Sequence, residues 1–151
     1  MKPAIRQATG NDLDIIVDFQ LKMAFETEGL ELPQESIKPG VKAAIEDENK
    51  GIYYIAEVNG DVAGSLMITR EWSDWRNGWV AWIQSVFVKE KYRRKGIYSA
   101  LYQHIKNKVL KDEFKGIRLY VDNTNIKARK VYSALGMDDS HYRLFEWMKE
   151  F

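Results

Sequence analysis

Two β-rich runs joined by Asn59-Gly60 place the strongest constraint on the fold. The stretch GIYYIAEVNGDVAGSLMI, residues 51–68, carries β-branched and aromatic residues on both sides of that pair. Asn and Gly both tolerate the positive φ angles that a tight hairpin turn requires. The sequence therefore predicts two antiparallel strands that are neighbours in a sheet.

A nearly continuous apolar run follows this hairpin. In GWVAWIQSVFV, residues 78–88, Gln84 is the only strongly polar side chain, which is typical of a central strand buried on both faces. After a basic stretch, apolar residues recur at helical spacing from Ile97 to Val109, and GIRLYV at 116–121 has strand character. These segments predict a strand, helix, strand unit.

The N-terminal part is predicted to be a strand followed by helices. PAIRQA is a short strand, and Thr9 can cap a helix with Asp12 three positions later, as in a capping box. Pro33 could start a second helix, but Pro39-Gly40 would interrupt it early. We therefore expect a firm second helix only over about Val41 to Asp47, with loop in the region 29–40.

The C-terminal part is predicted to end in a helix and a strand. NIKARKVYSALG, residues 125–136, has the pattern of a short helix that Gly136 closes. YRLFEWMKE, residues 142–150, has the composition of a last strand. No internal repeat, low-complexity segment or domain linker separates these elements.

Composition bounds the function. With 151 residues, 45% of them hydrophobic, the chain is expected to form a single domain over residues 1–151. Because 23 Lys and Arg balance 22 Asp and Glu, no overall field favours nucleic acid or an acidic membrane. The absence of cysteine excludes disulfides, thiolate zinc sites and cysteine nucleophiles. With no apolar signal core and no run of about 18 apolar residues, we expect a cytoplasmic protein.

A local cluster of cations precedes the predicted central helix. Four of the five residues from Lys91 to Lys95 are cationic, and Gly96 follows them. The unpaired N–H groups of the helix start would face this loop, and Gly96 would let a ligand approach the backbone, a geometry that suits a phosphate. A solvated turn is the alternative, and the residues by themselves leave both readings open.

Two spaced motifs extend this reading. RRKGIY, residues 93–98, resembles the R/Q-x-x-G-x-G/A loop with which the GNAT superfamily of N-acetyltransferases grips the pyrophosphate of acetyl-coenzyme A. NIKARKVYSALGM, residues 125–137, resembles the superfamily's N-x-x-A-x-x-x-Y-x-x-x-G-F/M element. The resemblance covers nearly the whole chain. It implies an α/β (α+β) fold whose central, mixed, mostly antiparallel twisted sheet has about six or seven strands and is flanked by about four helices.

The resemblance also implies roles for individual residues. The strand Val86, Phe87 and Val88 would offer its backbone to the pantetheine arm, Asn125 would hydrogen-bond that arm, and Tyr132 would protonate the departing thiolate. The cofactor pyrophosphate would be held by the loop and helix start, which comprise Arg93, Arg94, Lys95, Gly96, Ile97 and Tyr98. Tyr98 departs from the pattern, because it stands where the family usually has glycine or alanine and adds bulk beside the phosphates.

The acceptor side is less defined. Many family members use a glutamate on the central strand as the base, but here that place is held by Gln84, which cannot accept a proton at neutral pH. A water chain, another carboxylate or a partly neutral substrate amine must then serve. Gln84 is interpreted as a hydrogen bonder that orients substrate, with simple satisfaction of its neighbours as the alternative.

Aromatic and histidine side chains are further candidates. Trp72 and Trp75 are expected in a polar loop before the central strand, where they would line the acceptor site or else only pin the loop to the core. His104, on the apolar side of its helix, is expected to be a packed structural residue. His141 is expected to be a turn residue.

The family resemblance implies an enzyme that moves an acetyl group from acetyl-coenzyme A, as co-substrate and without a metal, to a small-molecule amine by direct attack. A protein or peptide N-acetyltransferase and a non-catalytic acyl-coenzyme A-binding module are the alternatives. Neither nucleic acid nor membrane is expected as a partner, since one basic cluster without a basic face elsewhere is weak support for nucleic-acid binding. Monomer and homodimer both remain open.

Overall fold

The computed structural model describes residues 2–150, which form two compact units, the first ending at Arg118 and the second beginning at Leu119. Short 3-10 turns at Gly10–Asp12 and Glu90–Tyr92 supplement the regular elements. In chain order the strands and helices are β1 Ala4–Gln7, α1 Leu13–Glu28, α2 Gln34–Glu46, β2 Ile52–Val58, β3 Asp61–Ser73, β4 Gly78–Val88, α3 Ile97–Leu110, β5 Gly116–Leu119 and α4 Ile126–Ala134.

The five strands form one sheet in the order β1-β2-β3-β4-β5. The first four pair antiparallel with their neighbours. Helix α3 connects β4 to the adjacent β5, which is the crossover that parallel neighbours need. The predicted α+β fold with a mixed sheet and four helices is confirmed, with five strands in residues 2–150 rather than six or seven.

The hairpin prediction is confirmed. Asn59 and Gly60 both have positive φ angles, 50° and 79°, and Val58 pairs directly with Asp61 across the turn. In the middle of β4 the consecutive residues Val80 and Ala81 are both buried, so both faces of this interior strand are covered as predicted. The Asn-Gly pair was therefore enough to predict the hairpin, and the unbroken apolar run was enough to predict the buried strand β4.

Helices cover the two faces of the sheet. On one face, Ile16 and Val17 of α1 and Val41 of α2 form a core cluster with Tyr53 and Ile55 of β2. We call this the α1/α2 face. Helix α3 packs on β2 and β3. Its His104 ring lies beside Tyr54, and Tyr54 points away from the face of Tyr53 and Ile55 because successive strand residues alternate. Helix α3 therefore covers the other face. That side is called the α3 face.

His104 is a packed residue of the α3 face, as expected. Its ring lies 5.0 Å from the ring of Tyr54, measured between centroids. Burial lowers the pKa of His104 below the usual histidine value, since desolvation disfavours the charged imidazolium. The side chain is therefore held neutral near pH 7 and acts as an aromatic packing group.

The expected early break in the second helix is wrong. Helix α2 begins after Pro33 and runs through Pro39 and Gly40 to Glu46. Pro39 removes one hydrogen bond, to the carbonyl four residues earlier, near the start of the helix. The apolar stripe that includes Ile37, Val41 and Ala44 packs against α1 and β2 on both sides of Pro39, and this burial outweighs the lost bond.

The capping box predicted at Thr9 and Asp12 is present, and it caps the 3-10 turn Gly10–Asp12 that leads into α1. The Thr9 hydroxyl accepts from the backbone N–H of Asn11, and the Asp12 carboxylate accepts from the backbone N–H of Thr9 at 2.8 Å. Arg6 of β1 donates to both carboxylate oxygens of Asp12 at 2.8 Å. These bonds, the one from Arg6 first, lower the pKa of Asp12 and join β1 to the start of α1.

The expected last strand is also wrong. Residues 142–150 are not in any strand of the part of the chain that the structure describes. An alternating apolar segment becomes a strand only when its backbone pairs with a neighbour, and no ladder partner for it lies within residues 2–150. No helix among these residues is long and apolar enough to cross a membrane.

Gly64 permits a close approach of β3 to β4. A Cβ built on this buried residue would lie 2.6 Å from the carbonyl oxygen of Phe87 and 3.2 Å from Cα of Val88. Both contacts are with backbone, which cannot rotate away as a flexible side chain could. The short distance between β3 and β4 is therefore possible only because residue 64 has no side chain.

We expect Gly64→Ala to lower the free energy of unfolding by about 1–3 kcal/mol, the usual cost of overpacking a core. Urea unfolding followed by circular dichroism measures the change. Gly116→Ala is the matched control, since nothing lies within 4 Å of its Cβ position, and it should change stability by less than about 0.5 kcal/mol. Equal effects of the two substitutions would contradict the proposed packing constraint.

Candidate functional site

Asp61 anchors the basic loop, defined here as residues 89–96. Its carboxylate accepts from the Tyr92 hydroxyl at 2.8 Å, from Lys89 Nζ at 3.0 Å and from Lys91 Nζ at 3.1 Å. The bond from Tyr92, followed by those from the two lysines, holds the pKa of Asp61 well below its usual range. Two of the loop's cations therefore attach it to the turn between β2 and β3.

Arg93 braces the loop against α1 and β4. Its Nε donates to the carbonyl of Val88 at 2.8 Å, and its second guanidinium nitrogen donates to the Glu26 carboxylate at 2.8 Å. The guanidinium carbon lies 5.4 Å from the centre of the Phe87 ring. Arg93 is thus committed to intramolecular contacts.

The start of α3 has the features of an anion site. Gly96 is the N-cap in the left-handed region, with φ of 79°, and no side chain caps the helix. Nothing lies within 4 Å of the position where a Cβ would stand, so a ligand can approach the backbone. Within residues 2–150, neither Arg94 nor Lys95 forms an ion pair, and both are exposed. Open N–H groups and two uncommitted cations suit a pyrophosphate.

The bulk of Tyr98 does not remain at the surface of this site. The residue is half-buried, and its hydroxyl oxygen is buried. Its ring lies 6.3 Å from that of the buried Tyr102, one turn further along α3, with a tilt of 40°. The Tyr98 side chain therefore packs along the helix. Its backbone N–H stays in the first turn of α3, in the same place as the N–H of a glycine or alanine.

A β-bulge interrupts β4 just before the basic loop. Ser65 pairs with Phe87 and Met67 pairs with Gln84, so Ser85 and Val86 together oppose the single residue between them on β3. Ser85 has a positive φ of 56°. The extra residue leaves backbone groups outside the ladder with β3. The sequence contains no glycine at this point and gave no sign of the bulge.

The bulge determines which side chains share a face. Gln84 and Phe87 are three residues apart and would point to opposite faces of a regular strand. With the extra residue, both lie on the α1/α2 face, opposite Met67 and Ser65 respectively. The Phe87 ring packs against Phe19 of α1, with centroids 4.8 Å apart.

A groove of about 800 Å³ lies between α1 and the basic loop. Phe25, which is 63% exposed, and Phe87 give it an apolar part, while charged side chains of the loop and of α1 surround them. The lining residues are Leu21, Lys22, Phe25, Glu26, Phe87, Lys89, Glu90, Lys91 and Arg93. The groove therefore adjoins the anion site through Arg93.

Gln84 is hydrogen-bonded on the α1/α2 face. Its Nε2 donates to Thr69 Oγ1 at 2.8 Å, which leaves its amide oxygen to accept from another group. Trp82 pairs with Thr69 across the ladder, so it lies on the same face as Gln84. The sequence alone does not assign Trp82 to this site, because its face is set by the register between β3 and β4.

Trp72 does not share a face with Gln84. The expectation that it lies in a loop is wrong, since it belongs to β3. The polar residues of this stretch suggested shorter strands than the structure has. Trp72 pairs with Trp79, edge to face at 5.1 Å, and Arg70 covers the Trp79 ring. This pair is on the α3 face, opposite Gln84. Trp75 is 88% exposed in the turn between the strands.

The second unit contains the other predicted residues. Asn125 caps α4, its side-chain oxygen accepting from the N–H of Ala128 at 3.1 Å. Asn125, Ala128 and Tyr132 are half-buried along one face, whereas the remaining residues of α4 are exposed. Gly136, with φ of 86°, ends the helix as predicted. His141 lies in the following bend, where its Nδ1 is 3.0 Å from the Asp138 carboxylate.

Comparisons with known proteins identify the family. Residues 17–137 match the Acetyltransferase (GNAT) family. The chain is 25% identical to a streptothricin acetyltransferase of Escherichia coli over 150 residues, which is 95% of this chain and 83% of that protein.

Solved structures show the same fold. A crystal structure named as that of a possible acetyltransferase from Clostridium difficile 630 matches all of both chains, with 45% identity and a TM-score of 0.91. The structure of AAC(6')-Iy in complex with the bisubstrate analogue CoA-S-monomethyl-acetylneamine matches 99% of both chains, with 17% identity and a TM-score of 0.76. The chain belongs to the GNAT family of acetyltransferases.

Proposed function

We propose that this acetyltransferase uses acetyl-coenzyme A to acetylate a small-molecule amine. The observation that carries the proposal is the uncapped start of α3, with Gly96 in the left-handed region and Arg94 and Lys95 uncommitted. The names of two similar proteins support the acceptor class, since one is a streptothricin acetyltransferase and the other was solved with an acetylneamine analogue.

Different parts of the basic loop have different tasks in this proposal. The N–H groups of Ile97 and Tyr98, with Arg94 and Lys95, bind the pyrophosphate. Arg93 supports the loop from behind through Glu26 and the Val88 carbonyl. The backbone of Val86 to Val88, beside the bulge, hydrogen-bonds the pantetheine arm as the family resemblance implies.

The chemistry requires an activated acyl group, a neutral amine and an acid. Acetyl-coenzyme A supplies the acetyl thioester when bound. Tyr132 is proposed as the acid, because a phenol with pKa near 10 is protonated at neutral pH and can donate to a thiolate. The Gln84 amide, fixed by Thr69, orients the amine but cannot remove its proton. The amine must therefore lose its proton to another group or enter the site neutral.

The acceptor is proposed to lie on the α1/α2 face. Gln84 and Trp82 share this face, and the bulge turns Phe87 to the same side. An aromatic surface beside a hydrogen-bonding amide suits an amine carried on a ring or a sugar. Trp75, on the exposed turn, remains a candidate contact for a larger acceptor.

The direct test is a screen of amine acceptors with acetyl-coenzyme A, in which free thiol release is measured. Aminoglycosides, streptothricin, polyamines and short peptides with free amino groups represent the acceptor classes. Release with small amines but not peptides supports the proposal. Release with peptides only would contradict the acceptor class, and binding without release for any amine would indicate a non-catalytic module.

The Arg94→Ala, Lys95→Ala double variant is expected to weaken acetyl-coenzyme A binding by about tenfold and to make it less sensitive to salt, since two charge-assisted contacts are lost. Isothermal titration at two salt concentrations measures both effects. The control is Lys106→Ala with Lys111→Ala, two exposed cations at the other end of α3 and just beyond it. If the two double variants bind alike, the loop is only a solvated turn.

Tyr132→Phe is expected to lower kcat by about 10²-fold, the low end for general acid catalysis, while keeping the thermal shift that acetyl-coenzyme A produces. The substitution keeps the ring and removes only the proton donor. Thiol release on an accepted amine and differential scanning fluorimetry give the two readouts, with exposed Ser133→Ala as the neighbouring control. An unchanged kcat between pH 6 and 9 would show that the thiolate leaves without this residue.

Gln84→Met is expected to raise the acceptor KM by about tenfold and to leave the KM for acetyl-coenzyme A within about twofold, since one oriented hydrogen bond is lost. Trp75→Ala tests the aromatic wall that the sequence suggested. Initial rates with each substrate varied separately distinguish the two ideas. A rise in acceptor KM for Trp75→Ala but not for Gln84→Met would place the amine at the turn instead.

A further inference from the structure

Two buried polar side chains, one on α1 and one on β3, each carry an atom without a protein partner. Gln20 of α1 is 4% exposed and Ser65 of β3 is 0% exposed. Among residues 2–150, neither Gln20 Nε2 nor Ser65 Oγ finds a hydrogen-bond partner. A buried polar group without a partner is costly, so each such group in a folded protein calls for a ligand, a water molecule or a function that explains it.

Gln20 lies at the centre of the buried side of α1. Ile16 precedes it by four residues and Ala24 follows it by four, and both are buried. Residues four apart share one face of a helix, so these three side chains form a line along α1. Ile16 belongs to the core cluster that includes residues of β2, which shows that this line faces the sheet. The Gln20 amide is therefore directed at the strands beneath α1.

The register of the sheet places Ser65 beneath this amide. Ser65 pairs with Ile55 of β2 on one side and with Phe87 of β4 on the other. Helix α1 crosses all three strands, since Ile16 clusters with Ile55 and the Phe19 ring lies 4.8 Å from the Phe87 ring. The buried glutamine follows Phe19 directly, a rise of about 1.5 Å along the helix. Its side chain is thus level with the strand residue that lies between Ile55 and Phe87.

Water is the molecule that suits these two atoms. They do not hydrogen-bond each other, and the short Ser65 side chain leaves room between its larger neighbours on β2 and β4. The Gln20 nitrogen can only donate, while the Ser65 hydroxyl can donate or accept, so a water molecule can bond both. The adjacent bulge leaves backbone groups of residues 85–86 outside the ladder with β3, and these offer the third partner that internal waters usually have.

We propose that Gln20 and Ser65 bind one internal water molecule beside the bulge of β4, and that this water fixes the bulge to α1. Gln20 is then a positioning residue, because it acts through the strand and touches neither substrate nor reacting atoms. This positioning role rests on the proposed function, in which the backbone of Val86 to Val88 hydrogen-bonds the pantetheine arm. The water site itself is a property of the protein without any substrate.

A high-resolution crystal structure of the unmodified protein tests the site directly. Density for a water molecule is expected about 2.7–3.2 Å from both Gln20 Nε2 and Ser65 Oγ. The double variant Gln20→Met, Ser65→Ala should lack this density, since both side-chain partners are gone. A direct bond between Gln20 and Ser65, or separate protein partners for the two atoms, overturns the proposal.

Single substitutions make the test depend on a sign. With the water bound, Gln20→Met or Ser65→Ala alone removes one of its partners, and each should raise the equilibrium constant for urea unfolding about tenfold. The double variant should raise it by less than the product of the two effects, because both changes remove one bridge. Exposed Gln103→Met on α3 is the matched control and should stay within about threefold.

The opposite sign contradicts the site. If Gln20 Nε2 and Ser65 Oγ are unpaired, each single substitution removes a buried orphan group and should stabilise the protein. Stabilisation by either single variant, or two effects that simply multiply in the double variant, would therefore overturn the proposal. Unchanged circular dichroism shows that each variant is folded.

Isothermal titration with acetyl-coenzyme A tests the positioning role. Ser65→Ala is expected to raise the dissociation constant about threefold to tenfold, whereas Gln103→Met should leave it unchanged. Equal affinities of Ser65→Ala and the unmodified protein would overturn the positioning role. If the unmodified protein does not bind acetyl-coenzyme A, the proposed function and the positioning role fail together, while the water site still stands or falls on its density and on the unfolding data.

Discussion

The close approach of β3 to β4 at Gly64 is the contact on which the rest of the site depends. It holds the backbone of Phe87 against a position without a Cβ, directly after the extra residue of the bulge. The bulge turns Phe87 toward α1, and the next carbonyl, that of Val88, accepts from Arg93. Strand geometry is thereby transmitted into the basic loop, so the orientation of the first turn of α3 follows from packing within the sheet.

The cations of the loop divide into two groups with different electrostatic tasks. Lys89 and Lys91 share the single carboxylate of Asp61, and Arg93 pairs with Glu26. Arg94 and Lys95 have no such partner among residues 2–150 and retain their charge for a ligand. A dense run of cations repels itself, and the anchoring carboxylates reduce that repulsion while leaving positive potential at the helix start, where the N–H groups add to it.

Features set by neighbouring residues could be predicted from the sequence, whereas features set by distant pairing could not. Asn59-Gly60, the Thr9 cap and the closing Gly136 act through local backbone preferences, and all three were found where expected. The bulge at Ser85 depends on the register with β3, and it places Gln84 on the same face as Phe87. The regular pairing on the other side of the bulge separates Gln84 from Trp72. Residues 142–150 have strand composition, but composition does not supply a ladder partner. Helix α2 continues through Pro39 because packing on α1 overrides the local preference of proline to end a helix.

Arg93 lines the groove with one set of contacts and supports the anion site with another. A molecule in the groove that competes for Glu26 would change how tightly the guanidinium holds the Val88 carbonyl, and an anion at the helix start would stabilise the loop position that this bond supports. The two occupants would therefore be thermodynamically linked, and the free energy of that linkage is the same whichever arrives first. One guanidinium would thus make the affinity for a molecule in the groove depend on the presence of an anion at the helix start.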